Sequence, residues 1–195
     1  MSDIPTLVFI RHGETDWNRQ YRLQGQRDIP LNDLGRAQAF RNGEELVRSI
    51  PEVAGFDFIA SPLSRTRETM EIARTAMGLP PDGYGRDDRL MEIAYGDWEG
   101  STLDELREHH GEAAASREAD KWGFSPPGGE SYRQLEARVA PVLSELRRPT
   151  VVVAHGGIGR ILRIRLMGED PVIAVTAQIA QDQVFVWRDG GAEFI

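Results

Sequence analysis

A chain of 195 residues suits a single domain with a sizeable core. An apolar fraction of 40% with 8% aromatic residues marks a globular protein rather than a disordered one. A formal net charge of −8 speaks against nucleic-acid and membrane-surface binding, and the absence of cysteine excludes disulfides, thiolate metal sites and a cysteine nucleophile. The segment Met1 to Pro5 has neither the charged nor the apolar region of a secretory leader, and no apolar run approaches about 18 residues. The expected compartment is the cytoplasm.

In chain order, Leu7 to Ile10 read as a short buried strand running into Arg11-His12-Gly13. A helix is expected to begin within Glu14 to Gln20, and Tyr21 to Pro30 form a polar loop carrying Gln24 and Gly25. Asn32 is a good N-cap for a helix over Asp33 to Ile50, with Leu34, Ala37, Leu46 and Val47 expected on its inner face. Phe56 to Ala60 read as a strand, after which Ser61 as N-cap and Pro62 at the first helical position open a helix to about Met77. Asp87 to Ala94 are expected to be extended, Gly96 to Gly100 to turn, and Ser101 or Thr102 to cap the next helix. Glu108 to Gly128 are polar with weak helical pattern, whereas Ser131 to Arg147 form a strong amphipathic helix with Leu135, Val139, Val142, Leu143 and Leu146 inward. Pro141 is expected to kink it. Thr150 to Ala154 are a second buried strand, ending in His155-Gly156-Gly157 and followed by a helix to Met167. Gln183 to Arg188 read as a strand and Asp189-Gly190-Gly191 as a hairpin turn. Alternating strands and helices predict one α/β domain over residues 1–195 with a mainly parallel central sheet. The C-terminal strands offer an edge for pairing, so a homodimer is an expectation.

Two strands that each deliver a histidine and a glycine at the C-terminal end predict two imidazoles facing one site, because ligands of open α/β sheets bind there. Arg65 falls in the first turns of a helix directly after a strand, where a guanidinium adds a bidentate fork to a backbone already suited to anions. Arg67 reads as an ordinary surface residue. Glu92 sits among apolar neighbours, and a carboxylate there is costly to bury unless it is protonated or paired. Glu14, Trp98 and Trp122 are candidate cleft walls, Trp98 fitting simple packing better. His109 and His110 are adjacent on one helix, point apart and make a poor ligand pair; no motif calls for a metal. Arg160, Arg163 and Arg165 read most simply as the solvated side of their helix, or as an interface.

Arg11-His12-Gly13-Glu14-Thr15, the Ser61 to Thr69 stretch, the segment from Leu90 through Glu92 and Tyr95 to Gly100, and Ala154-His155-Gly156-Gly157 occur in an order that resembles the histidine phosphatase superfamily. The resemblance spans roughly residues 6 to 160 and implies a three-layer α/β/α fold. It implies that His12 is the nucleophile that becomes phosphohistidine, that Arg11, Arg65 and His155 bind the phosphoryl group, and that Glu92 is the proton donor. It also implies phosphate contact by Asn18, with Gly13, Gln24, Gly25 and Gly156 as further substrate-binding positions. The chemistry is consistent, since an imidazole attacks phosphorus only when neutral, and nearby Arg11 and Arg65 disfavour its protonation. An arginine about 4 Å from the phosphoryl charge contributes on the order of 4 kcal/mol at an effective dielectric of 20, and a general acid typically 10²–10⁴-fold in rate.

No cofactor is expected, and the expected partner is a small-molecule phosphate monoester. Phosphoglycerate mutases of this superfamily carry an insert with an arginine pair and a lysine after the turn that follows the acid. Here the corresponding stretch, Ser101 to Phe124, sets Glu105, Glu108, Glu112, Glu118 and Asp120 against Arg107, Arg117 and Lys121. Such a balance favours the short phosphatase branches, with a cap of approximately residues 101–131 over the cleft. Glu130-Ser131 either belong to that cap's function or simply cap the following helix.

Overall fold

The computed structural model describes residues 4–195. Its central sheet has six strands: β1 (Leu7–Arg11), β2 (Asp57–Ala60), β3 (Gly85–Arg86), β4 (Thr150–Ala154), β5 (Val184–Arg188) and β6 (Gly191–Phe194), in the spatial order β3-β2-β4-β1-β5-β6. The first four in that order run parallel, whereas β5 and β6 are antiparallel to their neighbours. β1 and β4 lie side by side at the centre with Leu7 opposite Thr150 and Arg11 opposite Ala154. Both are apolar along their whole length because both faces of the sheet are covered. Leu7 and Phe9 of β1 and Val152 and Ala154 of β4 face one layer, and Val8, Ile10, Val151 and Val153 face the other.

The first layer is α6 (Tyr132–Glu145) and α7 (Gly156–Met167); the second is α2 (Asp33–Ser49) and α3 (Ser64–Ala76). The fold is therefore the expected three-layer α/β/α sandwich. The chain leaving β1 passes β4 to reach β2, and the chain leaving β4 passes β1 to reach β5. The two central strands thus part in opposite directions at their C-terminal ends, which opens a crevice there. Short helices α1 (Asp16–Arg19), α4 (Leu103–His109), α5 (Gly111–Ala119) and α8 (Pro171–Ala174) complete the chain, with α4 and α5 within the segment expected to form the cap.

Four local expectations need correction. Asn32 does cap α2, accepting from Gly35 N, but Leu34, Ala37 and Val47 are exposed and of the expected inner face only Leu46 is buried. The buried face is Gly35, Gln38, Ala39, Asn42, Gly43 and Leu46. α2 lies so close to α3 that a Cβ on Gly43 would overlap the carbonyl oxygen of Ala73, so small residues mark the inner side and hydrophobicity does not. α3 begins at Ser64, not after Ser61: Leu63 is its N-cap without a side-chain bond, and Asp28 Oδ1 accepts from Ser64 N at 2.8 Å and Ser64 Oγ at 2.6 Å. The stretch expected to be extended contains a 3₁₀ turn at Asp88–Leu90, capped by Asp87. Trp122 packs against the core, and Glu14 is tied to Asn32 and Gln38, so neither stands on the cleft wall. Ser131 caps α6 through a capping box with Gln134, and the inner residues of α6 are buried as expected.

Candidate active site

The crevice holds His12 and His155, with ring centroids 5.2 Å apart and planes at 61°. His12 follows β1 and His155 follows β4, so the parallel register of two buried strands sets their separation. His12 Nδ1 lies 2.8 Å from the Gly13 carbonyl oxygen. A carbonyl only accepts, so Nδ1 carries the proton and Nε2 keeps its lone pair. Burial, then Arg65 and Arg11, push the His12 pKa well below the ordinary histidine value, which keeps the ring neutral. His155 is shifted the same way by burial, then by Arg65, His12 and Arg11.

Arg65 is fully buried, and its two terminal nitrogens donate to the carbonyls of Arg27 at 2.6 Å and Gly25 at 2.8 Å. Gly25 is the residue that lets the loop come this close: its φ is +50°, and a Cβ there would run into the Glu99 carboxylate. Arg11 donates to the Ile179 carbonyl at 2.6 Å. Burial lowers both guanidinium pKa values to about 10, which leaves both cationic at neutral pH. Arg11 Nε, Arg65 Nε and His155 Nδ1 are buried polar atoms without a protein partner. Two guanidinium N–H groups and an imidazole nitrogen around one neutral imidazole can meet the oxygens of a tetrahedral oxyanion. Asn18 lines the same pocket; its Oδ1 accepts from Thr15 and Gln181, which leaves its amide nitrogen for the oxyanion.

The pocket is about 490 Å³ including its open mouth and is lined by Arg11, His12, Asn18, Arg22, Leu23, Gln24, Gly25, Arg65, Glu92, Tyr95, Gly156 and Arg160. Of the residues expected to serve catalysis or binding, the structure brings together Arg11, His12, Asn18, Gln24, Gly25, Arg65, Glu92 and Gly156, with His155 packed behind them. Gly13 stands apart from the wall, its N–H donating to Thr69 and its carbonyl taken by His12. Glu92 Oε1 accepts from Gly157 N at the start of α7 and from Ile93 N, both at 3.0 Å. Its backbone is held from α6: Arg138 donates to the carbonyls of Arg89, Met91 and Glu92 while pairing with Glu130 at 2.8 Å.

Arg160 is a correction. It was expected on the solvated side of its helix, but it lines the pocket, donating to the Ala177 carbonyl and to Tyr132 Oη, both at 2.9 Å. Burial opposes its charge, but Tyr132, Tyr95 and Glu92 outweigh that and hold it cationic. Its place one helical turn beyond Gly156 was the available signal. Arg163 and Arg165 do face outward, paired with Glu169 and Glu136. Arg22 and Tyr95 are further wall residues that the motifs did not single out; Arg22 ties the loop to the cap through Glu105 at 3.0 Å. Among the described residues, no three His, Asp or Glu side chains gather as metal ligands.

A lone-pair imidazole ringed by buried cationic donors and faced by a carboxylate defines a phosphoryl-transfer enzyme that works through a histidine nucleophile. The chain belongs to the histidine phosphatase superfamily (branch 1), whose pattern it matches over residues 7–190. It is 35% identical to the glucosyl-3-phosphoglycerate phosphatase of Mycolicibacterium vanbaalenii over 175 residues, covering 83% of this chain and 74% of that one. It is also 35% identical to a 2,3-bisphosphoglycerate-dependent phosphoglycerate mutase of Mesorhizobium japonicum over 174 residues, covering 84% and 82%. The solved structure of a mycobacterial glucosyl-3-phosphoglycerate phosphatase superposes with a TM-score of 0.77 at 30% identity, covering 93% of this chain and 89% of that one.

Proposed function

We propose that the chain is a phosphomonoesterase that hydrolyses a small phosphorylated metabolite, with His12 as the residue transiently phosphorylated. The observation that carries this reading is the His12 Nε2 lone pair, fixed by Nδ1–H donation to Gly13, beside the unpartnered buried nitrogens of Arg11, Arg65 and His155. In the first step Nε2 attacks phosphorus, the bond to the leaving oxygen breaks, and Glu92 gives that oxygen a proton. In the second, Glu92 takes a proton from water, whose oxygen attacks phosphohistidine and frees inorganic phosphate and His12. The arginines act throughout by holding the equatorial oxygens, where the negative charge lies.

Hydrolysis is preferred to isomerisation because most cap cations are already engaged. Of the cap's three cations, Arg107 pairs with Asp104 and Glu118, and Arg117 with Glu118. A bisphosphorylated reagent needs more free cation than that. The mutase reading is supported by one cluster: Arg117, Lys121 and Arg160 lie in one another's field near Tyr95, and burial with Arg117 and Arg160 lowers Lys121 to about 8. The deciding assay measures phosphate release from a panel of phosphomonoesters in EDTA, with 3-phosphoglycerate plus 2,3-bisphosphoglycerate in a parallel isomerisation assay. Hydrolysis that survives EDTA, without isomerisation, is the expected result; isomerisation without net hydrolysis would replace this reading by the mutase.

A further inference from the structure

Ser61 follows β2 and is completely buried. Its backbone is fixed on both sides, the N–H donating to Val153 O at 3.0 Å and the carbonyl accepting from Thr66 Oγ1 at 2.8 Å. Its hydroxyl does not cap α3; it lies 2.7 Å from His155 Nε2. Leu63 N–H points at the same Oγ from 3.5 Å, so one lone pair of the hydroxyl faces a donor. A backbone N–H cannot accept, so His155 Nε2 is the one neighbour of this buried hydroxyl among the described residues that can take its proton. A neutral imidazole that accepts at Nε2 carries its own proton on Nδ1. His155 Nδ1 is the buried nitrogen without a protein partner.

We propose that Ser61 is a positioning residue that fixes His155 in the Nδ1–H tautomer by donating its hydroxyl proton to Nε2, so that His155 offers the phosphoryl group an N–H rather than a lone pair. His12 and His155 then hold the same tautomer but present it in opposite ways. In His12 the Nδ1–H is turned to the Gly13 carbonyl and the lone pair is free to attack. In His155 the lone pair is turned to Ser61 and the N–H is free to bind. The opposite tautomer of His155 would place a second lone pair beside a phosphoryl oxygen, a repulsive contact, and would leave the buried Ser61 proton without an acceptor. Two adjacent neutral imidazoles thereby keep distinct roles, one nucleophile and one donor.

The kinetic consequence rests on the phosphatase reading; the tautomer itself is measurable on the resting protein. Nitrogen-15 NMR of histidine-labelled protein reads it directly, with the exposed His109 and His110 as internal references. In the parent chain His155 is expected to show a protonated Nδ1 and an unprotonated, hydrogen-bonded Nε2. In Ser61→Ala the Nε2 signal should move toward a free lone pair or a mixture of tautomers, and kcat/KM should fall about ten- to hundredfold, the loss of one hydrogen bond to a charged group. Ser61→Thr retains the hydroxyl and should restore both the shifts and most of the rate. A protonated Nε2 in the parent chain would overturn the proposal, as would a folded Ser61→Ala with unchanged His155 shifts. Normal shifts with no phosphatase activity in the parent chain would instead count against the hydrolase reading and leave the tautomer assignment standing.

Discussion

His12 and His155 are buried neutral, and that choice has a measurable price in acid. Their pKa values in the fold lie well below the ordinary value of about 6.5 that the unfolded chain would show. As pH falls through that value the unfolded chain takes up protons that the folded chain refuses, so acid favours unfolding and stability rises with pH until about 6.5 is passed. The unfolding free energy, measured in denaturant across pH 4.5 to 7, should carry a histidine contribution whose slope approaches two protons. His12→Ala should abolish turnover and remove the acid-labile, base-stable label that phosphorus-labelled substrate leaves on the enzyme as phosphohistidine. Undiminished phosphatase activity in that variant would exclude the His12 mechanism. Glu92→Gln should slow esters with poor leaving groups by about 10²–10⁴-fold and nitrophenyl phosphate far less, since a good leaving group hardly needs the proton. Equal losses on both would remove Glu92 from the acid role.

At the scale of elements, the start of α3 is held from outside. Leu63 makes no side-chain cap, and the Asp28 carboxylate from the preceding loop accepts from both Ser64 N and Ser64 Oγ. The same loop presents the Gly25 and Arg27 carbonyls to Arg65, one residue into the helix. Asp28→Ala should therefore lower stability by about 1 kcal/mol, the usual worth of a cap, and also raise KM, because Arg65 loses its frame. Urea unfolding and steady-state kinetics on one preparation test both halves; a stability loss with unchanged KM would separate the cap from the site. The contact of α2 with α3 gives a prediction of opposite sign to propensity. Gly43→Ala would gain about 1 kcal/mol in an exposed helix, but here the new Cβ overlaps the Ala73 carbonyl, and a net loss of about 1–3 kcal/mol is expected in urea unfolding.

Across the whole molecule, a chain of net charge −8 gathers Arg11, Arg65 and Arg160 at one crevice with Glu92 as the facing carboxylate. The fold concentrates cation where the total charge would repel an anionic substrate, because arginines from β1, α3 and α7 converge at the switch point of the sheet. Arg160 lies in the field of Glu92 and Tyr95, the side on which the proposed acid would meet the leaving alcohol. Arg160→Met should therefore reduce kcat/KM about tenfold for a phosphate ester bearing a carboxylate and much less for nitrophenyl phosphate. Equal losses on the two substrates would place Arg160 on the phosphoryl group instead.

Strand runs such as Leu7 to Ile10 and Thr150 to Ala154 were legible from residue type, because a strand buried on both faces must be apolar throughout, and the polar residues at their ends then stood out. Most of the pocket followed from motifs in chain order, since each motif keeps its functional residue at the end of one element. The inner face of α2 was not legible: its contacts are made by backbone approach at Gly35 and Gly43, which hydropathy does not register. Nor was the role of Ser61, whose chemistry permits a helix cap as readily as a bond to an imidazole. That choice was made when β2 and β4 paired and brought Ser61 to His155, 94 positions away. Arg160 is the same case, a charged residue on a helix whose side toward the crevice was decided by packing α7 against the sheet. Local sequence dictates what a residue can do; which partner it meets depends on contacts between distant segments, and those exist only once the layers are assembled.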